Sequence, residues 1–263
     1  MLRRLTLRGI VLGYLTVVLV APLVWIFKTT FQAGLHPIWG ALSDPNTVHA
    51  FKLTLIAAAI AVPLNTVFGV LCGLAIVRRR FPGKGLLNAF IDLPLAVSPV
   101  VIGVSLILLY GRTGWFGSWL TAHGIQVLYA LPSIVLATVF VSVPFVAREV
   151  IPTLRELGTE QEQAAATLGA TRWQRFWRIT LPSMRWAIIY GVVLTTARCL
   201  GEYGAVAVVS GRIEGVTETA PIRVETYNTN FNTTGAYAVA LVLALMAVVV
   251  LLAMTLIKPR EAR

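Results

Sequence analysis

Apolar positions along this chain fall into long unbroken runs, not the alternating or 3.6-residue rhythms of half-buried elements. Six runs stand out, at 10–27, 53–77, 86–110, 127–147, 186–209 and 236–257. A hydrocarbon core about 30 Å thick takes roughly 20 residues of helix, and each run meets that length or nearly so. No stretch alternates as a membrane barrel strand would, and a helix satisfies its own backbone groups in lipid. The pattern therefore predicts an all-α membrane protein of six transmembrane helices, one transmembrane domain over 1–263 with both termini on the same side. The longest polar interruption, 148–185, separates runs four and five.

Composition agrees and charge adds direction. Of 263 residues, 57% are hydrophobic and 13% charged, against about 25% charged in soluble domains. The net charge of +11 raises the question of nucleic acid, but its distribution gives another answer. The segments at 1–9, 78–85, 148–185 and 258–263 hold sixteen of the 22 Lys and Arg residues. The alternate segments hold Lys28, Lys52, Arg112, Arg212 and Arg223, and Arg198 alone falls inside a run. The positive-inside rule then places both termini in the cytoplasm. Nucleic-acid binding would need the charge gathered on one folded surface. The first run lacks a small-x-small cleavage site and reads as an uncleaved helix.

Reactive chemistry is absent from the pattern. Cys72 and Cys199 sit in apolar runs and read as small buried hydrophobes. His36, His49 and His123 have no ligand spacing. There is no G-x-x-x-x-G-K-[ST] phosphate loop, nucleophile elbow or zinc signature. The reading is a non-enzyme with no catalytic residue, metal or cofactor of its own.

The interruption at 148–185 is patterned. Thr159-Glu-Gln-Glu162 has capping-box form and predicts a short helix through Leu168. Gly169 falls where a left-handed residue ends a helix. Thr171-Arg-Trp-Gln174 is a second capping box, and its helix is expected to stop at Pro182. Ala164, Ala165, Ala166 and Thr167 give the first helix a slim surface. In the second, Trp173, Phe176 and Trp177 share one side while Arg172, Arg175 and Arg178 share another, as on a helix lying at a membrane interface. An amphipathic connector and a docking element for a cytoplasmic partner both fit.

Here the sequence resembles the permease subunits of bacterial ABC importers. Their cytoplasmic signature is E-A-A, three residues, G, nine residues, then I-x-L-P. Ala164, Ala165, Gly169, Ile179, Leu181 and Pro182 stand in register; Gln163 replaces the Glu, and Glu162 lies one residue early. The segments DLPLAVSPVV from Asp92, YGVVLTTAR from Tyr190, GEYGAVAVVSG from Gly201 and TETAPIRVE from Thr217 are similar to sulfate/thiosulfate permeases, most of all the W-type subunit. The likeness runs roughly from 29 to 256. GEYGA is shared with molybdate permeases, so a molybdate or tungstate permease is the alternative within the class; an ATP-independent anion channel or carrier is the alternative outside it. The resemblance implies a location in the bacterial inner membrane. It also implies a second related permease, two ABC ATPase subunits, an extracytoplasmic sulfate-binding protein, surrounding membrane lipid and no nucleic acid. The residues from Gln163 to Pro182 would then couple to the ATPase.

Charged and broken positions within the runs are the candidates for a pathway or gate. Arg198 and Glu202 are four apart and can meet on one face; a locking pair, a gate and a substrate contact all fit. Charges at that depth are costly and usually face a bundle interior or water. Pro94 and Pro99 predict a break in run three, with Asp92 capping its outer piece. Ser98, Gly103 and Ser105 form a slim stripe that fits either a pathway or helix packing. Pro132 and Pro144 predict irregularity in run four. The outer segment 211–235 carries Glu214, Glu218 and Glu225 against Arg212 and Arg223. It reads as a solvated loop or, by resemblance, the face offered to the binding protein.

Overall fold

The structure, a computed structural model, describes residues 13–32 and 34–257 together with Gly9 and Val11. Among these residues every regular element is a helix. The basic residues at 3, 4, 8, 258, 260 and 263 that entered the orientation argument lie outside them.

Helix α1, Gly13–Gln32, lies largely uncovered by the rest of the chain. A helix not anticipated from the apolar runs, α2 (Leu35–Ser43), follows it. Asp44 then accepts from the amides of Asn46 and Thr47 at 2.8 and 3.1 Å, and with Pro45 at the first position it starts α3, Pro45–Arg78. This 34-residue helix is about 50 Å long, well beyond the run at 53–77.

Run three is two helices, α4 (Lys84–Ala96) and α5 (Pro99–Tyr110), bent by 113°. The break falls at Val97 and Ser98, both extended, at ψ 136° and 135°. Pro99 forces that conformation on the residue before it, whereas Pro94 is tolerated inside α4. Asp92 is therefore an interior residue of α4 and caps nothing; Ser98 holds the capping position of α5 without a side-chain bond. A short helix, α6 (Gly117–Ala122), follows. Run four is α7, Leu131–Glu156, unbroken where irregularity was expected. Pro132 occupies its first turn, where no amide partner is required, and Pro144 and Pro152 are carried within it.

The polar interruption shrinks accordingly and is itself helical: α8 is Glu160–Thr167 and α9 is Arg172–Ser183. A 64° bend at Met184 leads into α10, Arg185–Leu200. Run five ends there instead of reaching 209; three irregular residues precede α11, Gly204–Val209. Beyond it lie α12, Ala220–Thr229, and α13, Thr233–Ile257. Among the described residues four helices are long and apolar enough to cross a membrane, and six if each bent pair counts as one span.

One part of the core gathers residues of α3, α5, α7, α11 and α12, among them Leu53, Ile102, Ile134, Val206 and Ile222, and another forms where α3, α7 and α10 converge on fully buried Val146. A Cβ at Gly69 would lie 2.7 Å from that of Val146, and one at Gly191 would lie 2.8 Å from the Val146 Cα. Only the missing side chains let three backbones meet there. Buried Asn65 ties α3 to α7 by donating to the Val139 carbonyl at 3.0 Å and Ser142 Oγ at 2.7 Å.

Candidate functional site

Two features frame α10, one at each end. At its start stands the α8–α9 unit. The α8 helix ends in a Schellman turn: the Gly169 and Ala170 amides donate to Ala166 and Ala165 carbonyls, each at 3.0 Å. Gly169 has φ +84° and open space around it, so backbone conformation, not crowding, requires glycine. The expected box at Thr171 and Gln174 is formed. The one expected at Thr159 is not, because its acid is engaged elsewhere. Glu162 pairs with Arg78 at the end of α3 at 3.0 Å and accepts from Thr180 Oγ1 of α9 at 3.0 Å. Thr159 Oγ1 instead accepts from Gln163 Nε2 at 2.9 Å.

As expected, α9 stops at Pro182 to within one residue, at Ser183. Proline cannot donate to the carbonyl four residues back and would collide with it, and the preceding turn, Phe176–Thr180, widens into a π-helix that makes room for it. Leu181 and Phe176 pack against Val70, Val146, Val150, Leu154, Met184 and Ala187. Ile179 is half-buried and Pro182 exposed. The I-x-L-P end of the motif thus seats the unit on the core. Its other end, with Gln163 and Ala164, faces outward, and Ala165 is half-buried. Leu168, at the turn between the helices, is 88% exposed.

At the far end of α10, Arg198 Nη2 lies 2.7 Å from Glu202 Oε2. Glu202 is past the end of the helix, not on its face, and 3% exposed. Its other oxygen accepts from the Ala205 amide at 3.0 Å, so it caps α11 while holding Arg198. The two breaks meet nearby: a Cβ at Gly204 would lie 2.9 Å from the Pro99 Cβ. Gly103 of α5 is pressed on α11, where a Cβ would be 2.7 Å from that of Val208. Gly103 therefore serves packing, while Ser98 and Ser105 are exposed. Asp92 belongs to a separate place, paired with Arg148 of α7 at 2.9 Å.

Residues 65–263 match the family described as "Binding-protein-dependent transport system inner membrane component". The chain belongs to this family. Among relatives of this inner membrane component is a protein of Synechocystis sp. named "Sulfate transport system permease protein CysW", 50% identical over 96% of this chain and 91% of its own length. The protein of that name from Escherichia coli is 46% identical over 89% and 80%. The Escherichia coli "Sulfate transport system permease protein CysT" is 37% identical over 97% and 92%. In fold, the inner membrane component is similar to a chain of a bacterial ABC transporter involved in import of the acidic polysaccharide alginate, with TM-score 0.79, 17% identity and coverage of 99% and 97%.

Three features of this inner membrane component escaped the sequence reading. Glu162, set aside as a residue out of register, is the buckle of the α8–α9 unit. Leu168 is the exposed tip, which an apolar residue beside the turn glycine could have signalled. The segment 211–235 is not a polar loop. Arg223 of α12 is buried, 3.2 Å from Glu218, 3.1 Å from Glu214 and 3.3 Å from Asp44. Its guanidinium lies 4.3 Å from the Tyr227 ring center and donates to Thr47. Burial pushes the Glu218 carboxyl above its ordinary range, against the lowering effects of Thr226 and Arg223.

Proposed function

We propose that this chain is the membrane-spanning subunit of an ATP-driven importer that carries sulfate or thiosulfate into the cytoplasm. The observation that carries the substrate is the 46–50% identity, over most of each chain, to proteins named as sulfate permeases. In this reading both termini face the cytoplasm of a bacterial inner membrane. The subunit pairs with a second, related permease, and the 37% identity to the other sulfate permease type supports such a pair. Two ATPase subunits and an extracytoplasmic binding protein complete the assembly. ATP is hydrolyzed by the partners, and this chain does no covalent chemistry.

Gln163, Ala164, Ala165, Leu168 and Gly169 form the surface that docks on an ATPase subunit, while Leu181 and half-buried Ile179 fix that surface to the core and Pro182 ends the helix that follows it. Gln163 brings no charge, so docking rests on shape, hydrogen bonds and the Leu168 tip. Arg198 and Glu202 hold the joint between the broken helices; Ser98 lies beside that joint, and Asp92 acts at a distance from it. Neutralized by Glu202, Arg198 attracts an anion only weakly, which suits a group that must also let the anion leave. ATP binding favors one of two arrangements of the paired permeases, and the coupling is the difference in its affinity for the two.

Uptake of radiolabeled sulfate into cells that lack this chain, with and without the gene restored, tests the proposal. Restored uptake that excess thiosulfate competes away and molybdate does not is the expected result. Uptake of molybdate in place of sulfate would overturn the substrate. Sulfate uptake by proteoliposomes holding this chain alone would overturn the subunit reading.

A further inference from the structure

A cavity of about 570 Å³ opens between the Arg78 end of α3 and the first turns of α9. One wall is apolar, made by Leu71, Leu74 and Phe176. The rim carries Arg78, Arg79, Arg172 and Arg175, with Glu162 the one carboxylate of the lining. Glu162 is already engaged by Arg78, so the rim keeps three positive charges uncompensated. Arg79 and Arg172 form no ion pair among the described residues. The Nε atoms of Arg78 and Arg175 are buried with no acceptor among the described residues, and a buried donor without a partner is costly.

The surroundings specify what the exposed arginines of the rim can hold. Leu71 is 60% exposed on α3 within an apolar stretch that spans the membrane. Trp173 and Trp177 project from α9 beside the rim, and Trp on such a helix marks the boundary between headgroups and acyl chains. Guanidinium groups bind phosphate oxygens in pairs. We propose that this cavity binds an anionic phospholipid, its phosphate among the four guanidinium groups and one acyl chain along Leu71, Leu74 and Phe176. A free oxyanion would satisfy the rim but leave the apolar wall without a use. A lipid seated there bridges α3 and α9 and so helps to fix the α8–α9 unit. The binding stands apart from the transport reading, which decides only the leaflet that supplies the lipid.

The test uses the full chain in micelles, with retained lipid read by native mass spectrometry. Dioleoylphosphatidylglycerol is expected to be retained in preference to dioleoylphosphatidylcholine. The double variant R79Q/R172Q, which removes two exposed groups without protein ion-pair partners, is expected to cut that retention by roughly tenfold. Its melting temperature in neutral lipid should be unchanged. The control R178Q/R185Q, outside the cavity lining, should retain the lipid as the natural chain does. Equal retention by R79Q/R172Q and the natural chain would overturn the proposal, as would an equal loss in the control. If inorganic phosphate alone in neutral-lipid nanodiscs stabilizes the chain as much as the phosphatidylglycerol does, the lipid assignment falls.

Discussion

Replacing Arg223 with Gln strikes the most heavily buried charge cluster among the described residues, and the structure sets the size of the effect. Glu218 is fully buried and its carboxylate lies 3.2 Å from the Arg223 guanidinium. At an effective dielectric constant of about 20, that separation corresponds to roughly 5 kcal/mol of attraction. Asp44 and Glu214 are more than a third exposed around the same guanidinium, so water screens them and each adds less than about 1 kcal/mol. Removing one partner of a buried pair typically costs about 3–5 kcal/mol, because the other charge is stranded; R223Q should destabilize by about that much near neutral pH. The sign of the pH dependence follows from Glu218. Its carboxyl is raised by burial above the ordinary value of 4.5. Between that value and the raised one, the folded protein holds a proton that the unfolded chain has lost, so stability falls as pH rises through the window. Without Arg223 the carboxyl rises further, and the R223Q defect should shrink as pH is lowered toward 5. R223Q/E218Q removes both charges and should recover most of the loss. Thermal unfolding in nanodiscs between pH 5 and 8, followed by tryptophan fluorescence, reads both variants beside the natural chain. A single variant that melts with the natural chain, or a double variant no better than the single, would refute the reasoning.

Leu168→Glu places a charge on the exposed tip and should lower stimulation of the partner ATPase at least tenfold with an unchanged melting temperature; normal stimulation would remove Leu168 from the docking surface. Gly169→Val forces a branched side chain to φ +84° and should cost about 1–2 kcal/mol and most of the uptake, with membrane insertion retained; uptake at the natural rate would contradict the coupling role. Arg198→Ala strands the Glu202 carboxylate and should lower stability by about 3 kcal/mol. Glu202→Gln, which can still accept from Ala205, should lose less, and the reverse order would count against the cap. Gly103→Val drives a side chain into Val208, and overpacking of this kind costs about 1–3 kcal/mol, read as a fall in melting temperature.

The apolar runs made the helical class legible because burial in lipid demands continuous hydrophobicity, and lipid cannot hydrogen-bond an open backbone. They did not place the breaks. Run 86–110 is apolar across Val97 and Ser98, so hydropathy passes over a 113° bend whose cause is one proline and the residue before it. Run 186–209 likewise hides the irregular residues from Gly201 to Tyr203. Capping boxes were read correctly at Thr171 and wrongly at Thr159 for a long-range reason: Arg78, 84 residues before Glu162, takes the carboxylate a local box would have used. The same blindness explains Arg223. Its partners come from α12, from the preceding segment and from the start of α3, and a local reading could see only a charged loop.

The proposed coupling has a mechanical basis in the position of α10. The α9 helix is seated on the core by Phe176 and Leu181, Met184 provides the 64° joint, and α10 runs 16 residues, about 24 Å, to Leu200. Arg198 stands on its last turn and grips the residue that caps α11. A tilt of about 10° at Met184 would carry that end by about 4 Å over a helix of this length. Glu202 follows two residues past that end and moves with it along the chain, and its bonds to Arg198 and to the Ala205 amide tie the 201–203 link to both helices, so α11 is carried along. The close fit of Gly103 against Val208 and of Gly204 against Pro99 passes that movement on to α5. In the proposed coupling α10, α11 and α5 move as one block, with the bending left to Met184 and to Val97–Ser98. This gives the break at Val97 and Ser98 a purpose in the proposed coupling, since an unbroken span there would lock the block that the α8–α9 unit is proposed to move.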